Sequence, residues 1–174
     1  RLRDLACRYA EYAHGEPMAQ RREKWRIHNR LQEKTFPFHI EDNGSYHADL
    51  MPPLECESDE CRGMEWPLLQ ALVSYEKIND DRIIPDRFLV DWSTPTTGHC
   101  DDLRVTRAKD GHGGELGYET NKPIKDIDAD FGKLKKRTIT LDRESTEKRR
   151  ELAETVFAGL LPVEVGRSSS LYSS

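Results

Sequence analysis

The feature that most constrains the fold is the stretch of residues 54–78, where an acidic turn leads directly into a helical pattern. Apolar side chains recur there at steps of three and four residues, which places them on one side of a helix. They are Met64, Leu68, Leu72 and Tyr75, with Leu69 and Ala71 beside them. The polar residues Glu65, Gln70 and Ser74 fall elsewhere on the helix. The pattern therefore predicts a buried central helix.

The ends of this helix have recognisable signals. Ser58 or Asp59 can cap the N–H groups of the first turn, and the acidic side chains before them suit the positive end of the helix dipole. Pro67 interrupts the pattern, because in a helix that begins at Asp59 its ring meets the carbonyl of Gly63. We therefore expect either a kink at Pro67 or a fresh helix start with Pro67 in its first turn.

The beginning of the central helix also carries the side chains with the most chemistry. Arg62, Glu65 and Trp66 lie within two turns of each other, and Cys56 precedes them. Two interpretations stay open: the helix is a well-anchored core element, or it forms the floor of a site. Under the second, Arg62, Glu65 and Trp66 are candidate substrate-pocket residues. Under the first, Arg62 and Glu65 form an ion pair at the helix start.

Length and composition favour one domain with a thin core. The chain has 174 residues, of which 36% are hydrophobic and 34% are charged. A chain of this length can bury about two thirds of its surface, and here little of that surface is apolar. We expect a single domain over 1–174, made of a helical segment at 1–53, an α/β portion at 54–166 and a mobile tail at 167–174. A thin core also suits a unit that leans on a partner.

The charge balance argues against nucleic-acid binding. The net charge is −5, with 27 basic and 32 acidic residues interspersed. Non-specific nucleic-acid binding needs a net basic face. The basic cluster at 21–26 has acidic residues mixed in, so we expect it to be a solvated helix face.

No apolar run in the sequence is long enough to span a bilayer, so we expect no membrane partner. The four cysteines have irregular spacing, without the regular framework of a secreted disulfide-rich domain. We therefore expect reduced thiols and a cytoplasmic protein.

The remaining segments predict an α+β fold that begins with a helical hairpin. Helices are predicted at 2–14, about 17–33 and about 124–135, and from Asp142 to Gly159. Strands are predicted at 83–92, 138–141 and 161–165, and a β hairpin at 103–120 with its turn at 110–114. The segment at 35–40 is predicted to be extended, and Pro37 restricts it to a sheet edge or a connector. In the second helix the sparse apolar side comprises Met18, Trp25, His28 and Leu31.

No motif points to a metal or to a catalytic triad. Cys56 and Cys61 have C-x4-C spacing, but zinc sites need a second ligand pair, and the adjacent His99 and Cys100 do not supply one. The glycine-rich run at 111–114 lacks the strand, helix and Lys-Ser/Thr ending of a phosphate loop, so it predicts a hairpin turn. The cluster at 99–102 is interpreted as a solvated loop. We expect no metal site.

Several segments together resemble a known family. The run Cys56-Glu57, then Arg62-Gly63-Met64-Glu65-Trp66 and an amphipathic helix, is similar to the N-terminal part of uroporphyrinogen decarboxylase-like proteins. The likeness is to their divergent anaerobic branch, which is related to corrinoid-linked methyltransferases. The segments at 123–135 and 142–163 agree with it. The resemblance implies a (β/α)8 barrel, of which this chain holds the beginning, since a barrel needs at least about 200 residues.

The resemblance also carries expectations about function. It implies the N-terminal portion of a protein related to corrinoid-linked methyl transfer, not catalytically complete by itself, with corrinoid as the only cofactor suggested. Asp86 is a possible counterpart of the family's early-strand carboxylate, while the family's metal ligands belong to the C-terminal half. Expected partners are a C-terminal half, a corrinoid protein or a second copy. The alternative is a non-catalytic interaction or dimerisation module.

Overall fold

The computed structural model describes residues 1–32, 34, 36–40, 50–100, 103–109 and 115–166, without the side chains of 109, 115 and 116. It is a mixed α+β structure made of two compact units. The first comprises Arg1–Trp92 and Glu144–Ser174, and the second comprises Ser93–Arg143. This division differs from the expected segments at 1–53 and 54–166, and the expected tail lies outside the described residues.

The first unit begins with helices α1 (Leu2–His14) and α2 (Glu16–Asn29), joined at the extended residue Gly15. The bounds predicted for α1 are confirmed, and its stripe is buried: Leu2, Leu5, Ala6, Tyr9 and Ala13. Helix α2 ends earlier than predicted. Leu31 lies beyond it with a positive φ of 53° and is 87% exposed, so its expected place on the apolar side is wrong.

The central helix α3 (Asp59–Val73) is capped as predicted, because Ser58 Oγ accepts a bond from the Cys61 N–H at 3.2 Å. It continues through Pro67, so the alternative of a fresh start there is wrong. A π-helical turn at Ser74–Ile78 follows, and Asn79 ends it in the left-handed conformation. The predicted stripe is buried at Met64, Leu68, Leu69 and Leu72, but the off-stripe residues Glu65 and Ser74 are buried as well.

A two-stranded parallel sheet completes this unit. Strand β1 (Phe88–Asp91) pairs with β4 (Val163–Gly166), so Phe88 lies opposite Val163 and Asp91 opposite Gly166. The predicted strand at 83–92 is therefore longer than the observed one. Helix α5 (Arg143–Phe157) precedes β4 and packs the Phe157 ring against that of Phe88, with centroids 4.6 Å apart.

One face of this sheet is covered and the other is open. Phe88 and Val90 are buried in the core shared with α1, α3 and α5, whereas Leu89 and Asp91 are exposed. This alternation follows from the two-residue period of a strand. On the open face the Leu89 side chain lies close to Gly166, where an added Cβ would come within 3.0 Å of it.

The basic cluster at 21–26 is not the solvated face that its sequence predicts. It binds the segment at 79–84, which leads from the π-helical turn towards β1. Lys24 Nζ lies 2.5 Å from Asp81 Oδ2, and Trp25 Nε1 donates to the Asp81 carbonyl at 2.7 Å. Burial by itself raises the pKa of Asp81, but the bond from Lys24 helps to lower that pKa overall. The cluster is thus partly neutralised within the chain.

The described residues 36–40 form neither helix nor strand, which agrees with a connector and not with an edge strand. The N–H groups of Phe38 and Ile40 donate to the carboxylates of Asp81 and Asp80, each at 2.9 Å. Pro37 has no N–H to donate, which suits an extended segment outside a sheet ladder.

The second unit contains an antiparallel hairpin. Strand β2 (Val105–Lys109) pairs with β3 (Glu115–Thr120), with an irregularity between Ala108 and Lys109. The predicted hairpin is therefore confirmed, while its predicted turn at 110–114 lies outside the described residues.

The rest of the second unit is less regular than predicted. Helix α4 (Ile127–Asp130) and a 3-10 turn at Phe131–Lys133 replace the longer helix expected at 124–135. The strand expected at 138–141 is reduced to isolated bridges, such as the one between Thr96 and Ile139. No described residue of 93–143 is buried. The large apolar side chains exposed there are Leu103, Val105, Tyr118, Ile127, Phe131, Leu134, Ile139 and Leu141.

Candidate functional site: a cavity beside the first strand

A cavity of about 360 Å³ lies in the first unit, between α3, α5 and β1. The α3 residues are on one side, the α5 residues on another, and all four residues of β1 border it. No residue of β4 contributes to its lining. The lining comprises Asp59, Glu60, Gly63, Met64, Pro67, Phe88, Leu89, Val90, Asp91, Arg149, Leu152 and Ala153.

Helical spacing explains how the two helices face the cavity. Gly63 and Pro67 are four residues apart on α3, and Arg149 and Ala153 are four apart on α5, so each pair shares one helix face. Gly63 provides much of the room, because a Cβ added there would meet nothing within 4 Å. Small or apolar side chains therefore form the cavity walls.

Charged groups lie at the edge of this cavity. Asp59 and Glu60 occupy the first turn of α3, and both are exposed. On the α5 side, Arg149 Nη2 donates to the Asp91 carbonyl at 2.9 Å. This bond places a guanidinium at the carboxyl end of β1, near the Asp91 backbone. The cavity is thus apolar inside, with acidic side chains on the α3 side.

The most unusual group near the cavity is Glu65, whose side chain is completely buried. Its carboxylate accepts the backbone N–H of Glu55 at 3.0 and 3.1 Å and that of Cys56 at 2.9 Å. Arg1 Nε donates to the same carboxylate at 3.1 Å. Glu65 therefore fastens residues 55–56, which precede α3, to the helix itself.

These bonds determine the protonation state of Glu65. Burial alone would raise its pKa, but the N–H groups of Cys56 and Glu55 and the Arg1 guanidinium outweigh burial and lower the pKa to about 2. Burial and the neighbouring Glu65 carboxylate raise the pKa of the Cys56 thiol. A raised thiol pKa is the opposite of what a nucleophilic cysteine needs, so Glu65 and Cys56 form a structural clamp.

The predicted pocket residues lie around this clamp and not in the cavity. Arg62 Nε donates to the Cys56 carbonyl at 2.7 Å, and its guanidinium is 4.0 Å from Asp59. Arg62 thus makes a helix-start contact, though with Cys56 and Asp59 and not with Glu65. Trp66 is 37% exposed. None of Arg62, Glu65 and Trp66 belongs to the cavity lining.

Asp86, the possible counterpart of the family's early-strand carboxylate, precedes β1. The strand begins at Phe88, so Asp86 lies at its amino end. Its Oδ1 is 3.4 Å from Arg87 Nε. Burial, with a contribution from the Asp86 charge, raises the pKa of Tyr9 to about 12. The carboxylate at the carboxyl end of the strand is Asp91.

The remaining reactive residues do not assemble into a site in the described part of the chain. Cys7, Cys56, Cys61 and Cys100 are all free cysteines. No group of three or more metal-ligating side chains was found among the described residues. Asp101 and Asp102 and the glycine-rich run at 111–114 lie outside the described residues. No helix in the described ranges is both long and apolar enough to cross a bilayer.

Sequence reasoning missed the residues that build the cavity. Gly63 carried a signal, because a glycine inside a helical pattern often has a packing or functional reason. Arg149 and Asp91 carried none, because their contact depends on the packing of α5 against β1.

Comparisons with protein-family models, curated proteins and solved structures found no match to this chain.

Proposed function

We propose that the chain is the N-terminal portion of a uroporphyrinogen decarboxylase-like protein related to corrinoid-linked methyl transfer. In this proposal it supplies outer helices and two strands of a barrel, and it has no turnover by itself. The proposal rests on the sequence resemblance around Arg62-Gly63-Met64-Glu65-Trp66. The structural observation that supports it is that β1 and β4 are parallel and adjacent, with α5 directly before β4 and the second unit, Ser93–Arg143, inserted between β1 and α5.

A strand, a helix and a parallel neighbouring strand form the unit from which (β/α)8 barrels are built. Parallel sheets are normally covered on both faces, and a two-stranded sheet has little stability of its own. Here the helices cover only the face of Phe88 and Val90. Further strands would cover the open face of Leu89 and Asp91, which makes a larger barrel a good physical explanation of this arrangement.

The proposal also specifies where chemistry would take place. Barrel sites lie at the carboxyl ends of strands. Asp91 is the carboxylate at that end of β1, so it replaces Asp86 as the first residue to test. A complete site needs groups from several strands held by a supporting shell, and the described residues provide two parallel strands. We therefore expect no decarboxylation or methyl transfer by this chain alone.

The test is an activity assay with uroporphyrinogen and with methylated donors and a cob(I)alamin acceptor. The chain is assayed alone and together with a polypeptide that supplies the remaining strands of such a barrel. We expect turnover only in the mixture, with a large loss for Asp91→Asn and none for Glu11→Gln, which changes an exposed acid of α1 outside the cavity. Turnover by the lone chain, abolished by Asp86→Asn, would contradict the proposal and define a smaller enzyme.

A second function is favoured by the second unit. Its described residues include eight exposed large apolar side chains and no buried residue. Contiguous exposed apolar surface marks an interaction site in many proteins. The alternative is therefore a non-catalytic interaction or dimerisation module. Sedimentation velocity over a range of concentrations tests it: a dimer that Phe131→Asp and Ile139→Asp dissociate supports the alternative, and a monomer at all concentrations counts against dimerisation.

A further inference from the structure

The edge of β1 that faces away from β4 presents backbone groups for another strand. Phe88 N–H donates to the Pro162 carbonyl at 2.8 Å, and Trp92 N–H donates to the Gly166 carbonyl at 3.2 Å. Alternate residues of a parallel strand point their backbone groups in opposite directions, so those of Leu89 point to the other edge. Among the described residues, no backbone bond outside the β1–β4 ladder involves the N–H or the carbonyl of Leu89.

The cavity runs along this same edge. It is bordered by the whole of β1 and by α3 and α5, without a residue of β4. Met64, Pro67, Leu152 and Ala153 give it apolar walls, and Gly63 leaves space in it. Proteins that bind a peptide as an added strand use these two features together, a free backbone edge and an apolar cavity. The main-chain hydrogen bonds give affinity, and the pockets bind alternate side chains of the peptide.

The charges select the sequence of such a strand. Glu60 has no ion-pair or hydrogen-bond partner among the described residues, and Asp59 is 4.0 Å from its nearest cation, on Arg62. Arg149 already donates to the Asp91 carbonyl. A lysine or arginine beside the docked apolar residue would therefore find the unpaired Glu60 carboxylate on the α3 side, next to that of Asp59. Exposed ion pairs of this kind add modest affinity and choose between partners.

We propose that the free edge of β1 docks an extended segment of another polypeptide. That segment pairs its backbone with Leu89, places an apolar side chain in the cavity and carries a basic residue towards Asp59 and Glu60. A helical partner would leave the Leu89 groups unpaired, and a small apolar molecule would fill the cavity without using the edge. This inference goes beyond the proposed function, because it needs no catalytic activity and no complete barrel.

The probe is a synthetic peptide of alternating valine and threonine with a lysine at each end. Its binding to the whole chain is followed by NMR through the Leu89 amide. We expect a chemical-shift change that saturates at millimolar peptide and about tenfold slower hydrogen exchange at Leu89. A peptide N-methylated at every residue has no backbone N–H to donate from either edge, so we expect it to produce neither effect.

Two variants test the cavity and the charges separately. Gly63→Leu fills the cavity without a clash at Cβ and improves helix propensity, so it should fold and bind the peptide about tenfold more weakly. Gly132→Leu is the matched control, because its Cβ also meets nothing within 4 Å but it lies in the second unit. Glu60→Lys should lower the affinity for the lysine-flanked peptide and raise the affinity for a glutamate-flanked one.

Several results would overturn the proposal. Unchanged Leu89 exchange at saturating concentrations of the probe would exclude edge pairing. If Gly63→Leu binds the peptide as tightly as the parent, the cavity has no role in binding. If the N-methylated peptide binds as tightly as the unmethylated one, backbone hydrogen bonds have no role. Protection of Leu89 without peptide, rising with protein concentration, would identify a second copy as the occupant instead. Shifts confined to Met64 and Ala153, without protection at Leu89, would show that the peptide enters the cavity without pairing at the edge of β1, which contradicts strand docking.

Discussion

Replacing Glu65 by Gln tests whether the buried carboxylate holds the start of α3. Glu65 accepts hydrogen bonds from two backbone N–H groups and from the Arg1 guanidinium. The single oxygen of an amide cannot accept all of these bonds. One donor must therefore face the amide –NH2 group. Hydrogen bonds to a charged group contribute about 1.5–3 kcal/mol each, so we expect Glu65→Gln to lower the free energy of unfolding by about 3 kcal/mol.

The lowered pKa of Glu65 expresses the effect of the same hydrogen bonds as a pH dependence. The folded pKa is about 2 and the reference value is 4.5. At 1.36 kcal/mol for each pKa unit, the charged form is stabilised by roughly 3 kcal/mol relative to the neutral acid. Because the folded pKa is the lower one, this stabilisation is complete above the unfolded pKa and is lost as the pH falls from about 5 towards 2.

Urea unfolding followed by tryptophan fluorescence measures both effects, at pH 7 and at several values down to pH 3. The variant should be less stable at pH 7, and its stability should depend less on pH than that of the parent. Glu60→Gln is the control, since Glu60 is an exposed acid in the same helix. If Glu65→Gln unfolds within about 0.5 kcal/mol of the parent and keeps the same pH dependence, the clamp contributes nothing and the reasoning fails.

Three further outcomes are expected. Leu68→Ala should lower the free energy of unfolding by about 2–5 kcal/mol, because Leu68 is only 1% exposed, and a variant that melts like the parent would contradict this packing. Gly63→Ala should raise the free energy of unfolding by about 0.5–1 kcal/mol in the same urea experiment, because alanine favours the helix and its Cβ would meet nothing within 4 Å. A decrease would mean that other atoms occupy the space beside Gly63. Elemental analysis of protein purified without added metal should find no stoichiometric zinc, and one zinc per chain, lost on Cys61→Ser, would overturn that expectation.

Helices α1 and α3 could be predicted because their information is local. Apolar residues at steps of three and four determine the buried side wherever the helix packs, and Ser58 marks the start of α3 within its own turn. The first and last residues of the strands could not be predicted in this way. Strand β1 exists where β4 offers a partner, and that partner comes from the far end of the sequence. Without the pairing, the apolar run at 83–92 overestimates the strand.

The buried polar residues escaped prediction for a different reason. Periodicity placed Glu65 off the apolar stripe, yet its carboxylate is buried because two N–H groups of the preceding segment need acceptors. The opposite error occurred in the second unit. Ile127, Phe131 and Leu134 have helical spacing, but all three are exposed. Spacing indicates which side chains share a face, and it does not supply the surface that covers that face.

The two structural proposals, strand docking and a barrel, can be distinguished at Leu89, because they protect different parts of this residue from solvent. A docked strand at the edge of β1 would pair the N–H of Leu89 and leave its side chain on the open face. A barrel would also cover that face, so the Leu89 side chain, now 36% exposed, would be buried among further strands. Amide exchange at Leu89 together with solvent accessibility of its methyl groups therefore distinguishes them. Protection of the amide alone supports docking, and protection of both supports a barrel.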